Sequence, residues 1–239
     1  MLARLRLMTI LIAVALHDTV LMLADGRRSD QHNVITDQSE KIFPLKGKIS
    51  LAICGAEIGT DFALEKLRPS TAQTASALCS QLARLSLEGT SHVLRQITPE
   101  TRSDAFVRVG LLAGGFENAQ AFLVAGLFGT GMDSPSSVNV SAVKGAPQYI
   151  VIGGEEVGAQ AVFGERLKQV IECMGDSGAE KPAVRSAILA IGNETILSVA
   201  EHDARVGGMV QFRTLRHGQP DEVGTFPQRN TRVTSHLLI

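Results

Sequence analysis

Tryptophan is absent from this chain, tyrosine occurs once, and aromatic residues make up only 4% of its 239 residues. A core so poor in flat rings must be filled by Ala, Gly, Val and Leu, which suits closely spaced layers of sheet and helix. Cysteine is also scarce. Cys54, Cys79 and Cys173 are odd in number, far apart and free of any Cys-x-x-Cys spacing. That excludes a zinc knuckle and a disulfide framework, and makes a reducing cytoplasm the expected location. No charge of one sign dominates: the formal net charge is −1, which gives no reason to expect nucleic acid or an anionic membrane as a partner. The six histidines, His17, His32, His92, His202, His217 and His236, show no metal-ligand spacing, so no metal is expected. A P-loop and a Gly-x-Ser-x-Gly elbow are both missing. Gly153-Gly154 with Gly158 imitates a dinucleotide fingerprint, but Glu155 and Glu156 set negative charge where a pyrophosphate would sit. No cofactor is therefore expected.

Long hydrophobic runs are missing from the N-terminus as well. The apolar stretch over residues 7–16 is broken by His17-Asp18, well short of the ~18 residues that a membrane-spanning helix needs. Two readings of this region remain. Arg4 and Arg6, the apolar stretch and Ala13-Val14-Ala15 fit a secretory leader. Residues 9–16 and 20–24, around a polar turn at His17-Asp18-Thr19, equally fit a β-hairpin. Both runs are apolar on both faces, as in a sheet covered on both sides. The residues alone leave leader and strand open.

Downstream, the pattern alternates between periods of two and of 3.6. Strands are predicted at 39–43 and 49–55 around the turn Pro44-Leu45-Lys46-Gly47-Lys48. Gly59-Thr60-Asp61 should cap a helix that runs to about Leu67, before Pro69. Over residues 71–96, Ala75, Leu78, Leu82 and Leu85 recur at helical spacing. Strands at 106–113 and 121–128 flank Gly114-Gly115-Phe116-Glu117-Asn118. Residues 129–147 form a long loop with one β-prone piece at 138–143. A strand at 149–152 leads through Gly153-Gly154 to a helix ending near Met174. Pro182 suits a helix start, with the helix over 183–200, and 205–215 returns as a strand. The tail from Arg216 is polar until Leu237-Leu238-Ile239. Strands, two helices, strands, two helices and a strand imply an α+β fold. Two stacked, mainly antiparallel sheets lie between helix layers, a four-layer αββα sandwich. Neither a repeat nor a domain linker is evident, and the chain length suits one core.

One spacing carries more. Met8-Thr9-Ile10, Asp25-Gly26-Arg27-Arg28-Ser29, Glu40-Lys41-Ile42 and Ile53-Cys54-Gly55 fall, without a gap, where the proteasome β-subunit family places its active-site positions. The chain resembles that family of N-terminal-nucleophile hydrolases, including the bacterial ring peptidases related to it. The resemblance favours the strand reading and makes residues 1–8 a leader or short propeptide ahead of a single domain, 9–239. Methionine before a small residue such as Thr9 is readily removed. Thr9 would then carry both the attacking hydroxyl and, in its own α-amine, a base of pKa about 7.7–8.0. The resemblance gives Lys41 the part of a cation that favours the ionised hydroxyl, with Asp25 pairing to hold it. It makes Gly55 the backbone donor to an oxyanion. Asp203 belongs to its late Asp-x-x-Ser-Gly motif. Arg27 and Ser29 fall beside the site as substrate-binding positions, Ser29 replacing the threonine often found there. Ile53 would line the pocket for the side chain preceding the cut bond.

The match has departures. In the segment similar to the family's Gly-Ser-Gly, Gly154 stands at the serine, and Val206 replaces the serine of the late motif. Two supporting hydroxyls are thus missing. The resemblance implies a threonine peptidase acting on unfolded polypeptide or peptides, in homo-oligomeric stacked rings fed by an ATP-dependent unfoldase. A catalytically silent ring subunit and an amidase of the same nucleophile class acting on small amides are the alternatives.

Overall fold

The computed structural model describes residues 9–29, 34–96, 108–129, 136–141, 147–154, 157–174 and 182–226. The N-terminal segment is a strand hairpin. β1 (Leu11–Ala15) and β2 (Thr19–Ala24) pair antiparallel around His17-Asp18, and the Leu16 N–H donates to the Thr19 carbonyl at 2.8 Å. Every residue of both strands is buried. Each large aliphatic side chain placed so contributes about 1.5–3 kcal/mol.

Two short strands, β3 (Arg28–Ser29) and β4 (Val34–Thr36), form a separate ribbon. Next come β5 (Ile42–Pro44), β6 (Ile49–Gly55), α1 (Glu57–Leu67) and α2 (Ala75–Gln96). β7 (Arg108–Glu117), β8 (Gln120–Gly129), β9 (Ser136–Ser141) and β10 (Gln148–Ile152) follow. The described chain closes with α3 (Ala159–Met174), α4 (Pro182–His202), β11 (Val210–Arg216) and β12 (Glu222–Phe226). The first sheet has the order β10-β1-β2-β11-β12 and the second β5-β6-β7-β8-β9, and their strand pairs are antiparallel.

Strand alternation divides the apolar residues into three layers. Leu11, Ala13, Val20, Met22 and Ala24 meet Ala52, Cys54, Leu112 and Leu123 between the sheets. Ile10, Ile12, Val14, Leu21 and Leu23 face the helix layer of Phe163, Val184, Ile188 and Ile196. Ile49, Leu51 and Ile53 pack on Ala63, Leu78, Leu82 and Leu85. The fold is therefore α+β, with two antiparallel sheets stacked between helix layers. Its aromatic poverty has a physical reason in the middle layer. A β carbon at Gly110 would lie 2.7 Å from Cys54 Sγ, and one at Gly114 would lie 2.6 Å from Val20 Cγ1.

Several boundaries differ from the sequence expectations. The β7–β8 turn is Asn118-Ala119, both at positive φ (50° and 65°), not the glycine pair. Two such residues make the tight turn whose twist matches paired strands. Gly114 and Gly115 lie inside β7, where their missing side chains let other residues come close. α1 starts at Glu57, ahead of Gly59-Thr60-Asp61, and its N-cap, Ala56, offers no side-chain bond. β5 and β11 are shorter than predicted, while β3, β4 and β12 are additional. α4 is long and apolar enough to cross a membrane by length and composition. Here Val184, Ile188, Ile196 and Val199 pack it onto the first sheet. Residues 1–8 and the Leu237-Leu238-Ile239 tail lie outside the described residues.

Candidate active site

Thr9 precedes β1 and Asp25 follows β2, so the hairpin register brings the two ends of the pair together. Asp25 N–H donates to the Ile10 carbonyl at 3.4 Å, and Ile10 N–H donates to Asp25 Oδ1 at 3.1 Å. Lys41 comes from the other sheet, just before β5, where its carbonyl accepts from Ile53 N–H at 3.0 Å. Its Nζ donates to Thr9 Oγ1 at 2.8 Å, to Asp25 Oδ1 at 3.3 Å and to the Arg27 carbonyl at 2.6 Å. An ammonium has three donors, and these three acceptors use them all. The hydroxyl, the cation and the carboxylate thus form one connected group across the gap between sheets.

This group is dry. Thr9 is 4% exposed, Lys41 8% and Asp25 not at all. Burial pushes the Asp25 carboxyl above the ordinary aspartate value, against the opposing pull of Lys41 and of the Ile10 and Gly207 N–H groups. The Gly207 N–H reaches Asp25 Oδ2 at 3.2 Å, so both carboxylate oxygens are held by backbone.

The Gly207 segment is placed by two ion pairs. Asp203 chelates Arg205 through both oxygens at 2.8 Å, and the Val206 N–H donates to the Asp203 carbonyl at 3.0 Å. Arg27 Nη1 then donates to the carbonyls of Ala204 at 2.7 Å and Val206 at 3.2 Å, while its Nε binds Asp37 at 2.7 Å. Arg27 was expected to touch substrate. It lines the cleft, but its guanidinium braces the loop that carries Gly207, and its carbonyl fixes Lys41. Asp203 is linked to the group through the same loop.

An open cleft of about 480 Å³ lies against Thr9. Thr9, Lys41, Phe43, Gly55 and Asp61 are among its walls. Ile53 also lines this cleft. Glu57 pairs with Arg28 at the same cleft. Ser29 ends β3, next to Arg28. At Gly55 the backbone takes φ 116°, and a β carbon would overlap the Arg108 carbonyl oxygen, so only glycine fits at the cleft edge.

Gly154 and Val206 behave as apolar packing positions. Gly154 sits at φ 67°, and a β carbon there would lie 2.8 Å from Ala159 Cβ and 3.0 Å from Val199 Cγ2. Val206 is buried in the helix-side layer. The neighbouring Gly153 presses against the Thr9 carbonyl so closely that a side chain would collide.

Gln211 and Asp37 also hold the site together, and neither carried a sequence signal; Gly207, the glycine of the late motif, does so through its N–H to Asp25. Among the described residues, no three His, Cys, Asp or Glu side chains converge to hold a metal ion. Chemically, the arrangement can stabilise negative charge on the oxygen of a threonine that lines a cleft. No family model matches the chain, and a search of the curated proteins finds no match.

Proposed function

We propose that the chain is a threonine peptidase of the proteasome type, active once Thr9 is its first residue. The reading is carried by one observation: Lys41 Nζ lies 2.8 Å from Thr9 Oγ1 and 3.3 Å from Asp25 Oδ1, beside an open cleft. A buried cation at that range favours the alkoxide over the hydroxyl. Thr9 Oγ1 attacks the peptide carbonyl carbon as its proton passes to the freed α-amine. The Gly55 N–H holds the resulting oxyanion. Collapse of this adduct expels the leaving amine, which takes the proton, and leaves an ester on Thr9. Water, deprotonated by the same α-amine, hydrolyses the ester and restores the hydroxyl. Asp25 keeps Lys41 in place. The substrate is an extended, unfolded chain, the working form a stack of homo-oligomeric rings in the cytoplasm, and an ATP-dependent unfoldase supplies it.

The test is intact mass with active-site labelling. A purified chain that begins at Thr9 and takes up one peptide boronate supports the reading; a population that retains Met1 overturns it. A second reading, a silent ring subunit, is favoured by Gly154 and Val206, which supply no hydroxyl. It predicts assembled rings without labelling. An amidase would instead turn over small amides and leave peptide substrates uncut.

A further inference from the structure

Thr9 and Asp25 flank strands of the first sheet and Lys41 precedes a strand of the second, so something must fix the distance between them. β5 is an edge strand, and β6 covers only one of its sides. On the other side the chain over 37–41 runs past the start of β11. The Met209 N–H donates to the Asp37 carbonyl at 3.0 Å. Beyond that rung a side chain continues the ladder. Gln211 Nε2 donates to the Ser39 carbonyl at 2.5 Å, and the Lys41 N–H donates to Gln211 Oε1 at 3.0 Å. Rungs therefore fall on residues 37, 39 and 41, as strand pairing requires. In β11, Gln211 lies directly opposite Ala24, the neighbour of Asp25. Together with the Ser39 N–H bond to the Gly26 carbonyl at 2.8 Å, this amide ties the backbone bearing Lys41 to the register bearing Asp25, and among the described residues it alone bonds the Lys41 N–H.

We infer that Gln211 is a positioning residue, whose side-chain amide sets the reach of Lys41 Nζ to Thr9 Oγ1 across the gap between sheets. The inference rests on the peptidase reading for its kinetic consequence, but not for its geometric one. Gln211→Leu keeps the bulk and removes both bonds; Gln211→Glu is isosteric, keeps the acceptor for Lys41 N–H and loses the donor to Ser39. Crystal structures of both variants should show Lys41 Nζ beyond about 3.5 Å from Thr9 Oγ1, outside hydrogen-bond range. With a peptide substrate, kcat should fall about 10²-fold with KM little changed, the size expected of a misplaced group. The pH profile of boronate labelling should also move. A merely structural role would lower the thermal midpoint and leave kcat and the profile of the folded enzyme alone. Retention of the 2.8 Å contact with unchanged kcat in either folded variant overturns the inference. Should the Leu variant not fold, the Glu variant decides. If the unsubstituted chain neither labels nor turns over, the peptidase reading falls, while the crystallographic separation still decides for or against Gln211.

Discussion

Replacing Lys41 by alanine tests stability and chemistry together. At 3.3 Å and an effective dielectric near 20, the attraction between Lys41 and Asp25 is about 5 kcal/mol. Removing one partner of such a pair leaves a buried charge with only two backbone donors, a loss of about 3–5 kcal/mol. The loss has a pH signature. Burial already holds the Asp25 carboxyl above 3.8, and without Lys41 it must rise further. A group raised in the folded state gives stability that is complete below its unfolded value and lost as pH climbs through the folded one. The deficit of Lys41→Ala should therefore be smallest below pH 3.8 and grow toward neutrality. Urea unfolding across that range measures it. Adding Asp25→Asn removes the stranded charge, so the double variant should recover most of the stability. It should recover none of the boronate labelling, which ought to stay at least about 10²-fold below the unsubstituted rate. Normal labelling in Lys41→Ala refutes the electrostatic account of the nucleophile. A deficit independent of pH refutes the account of the pair.

Two further substitutions probe other contacts. Gly154→Ser adds the hydroxyl that the resemblance would place there, but at φ 67° its β carbon presses on Ala159 and Val199. It should lower stability by about 1–2 kcal/mol and leave labelling no faster, as read by urea unfolding and boronate kinetics; a rate increase would show that the hydroxyl reaches the site. Asp221 joins Lys48 of the β5–β6 turn to Arg213 of β11. Burial alone would raise its carboxyl, but hydrogen bonds from both cations outweigh that and hold it below 3.8. Its contribution is present above 3.8 and lost as pH falls through the lowered folded value. Asp221→Asn should therefore cost about 1 kcal/mol at neutral pH, with the gap closing in acid. A gap that persists at low pH in urea unfolding would mean the pair contributes nothing.

The fold was largely legible in the sequence because its strongest signals are periodic. The apolar runs of β1 and of residues 20–24 in β2 reflect a sheet covered on both faces, and the spacing of Leu78, Leu82 and Leu85 marks the face of α2 that packs on the second sheet. Glycine misled where it was read only as a turn former: Gly114 and Gly115 serve close packing, and the turn itself is Asn118-Ala119. β12 was hidden because it is a half-exposed edge strand whose residues alternate weakly. In the candidate site, Thr9, Asp25 and Lys41 were singled out by the resemblance, because they fall where that family places its active-site positions. Gln211 and Asp37 could not be singled out, since their contacts follow from which segments pack together rather than from any local pattern.

The lack of aromatics and the geometry of the site have one cause. The Thr9–Lys41–Asp25 group spans two sheets, so the length of the Lys41 side chain caps the separation those sheets can adopt. Ala13, Ala24, Ala52 and Ala121 fill the middle layer, and Gly110 and Gly114 leave space that Cys54 and Val20 occupy. Larger residues there would move Lys41 away from Thr9 without touching either. Small side chains set how close the sheets come, the Gln211 amide sets where along their edges they are joined, and Lys41 spans the space that remains. A composition that looks merely bland is thus what allows a 2.8 Å contact between residues carried by different sheets.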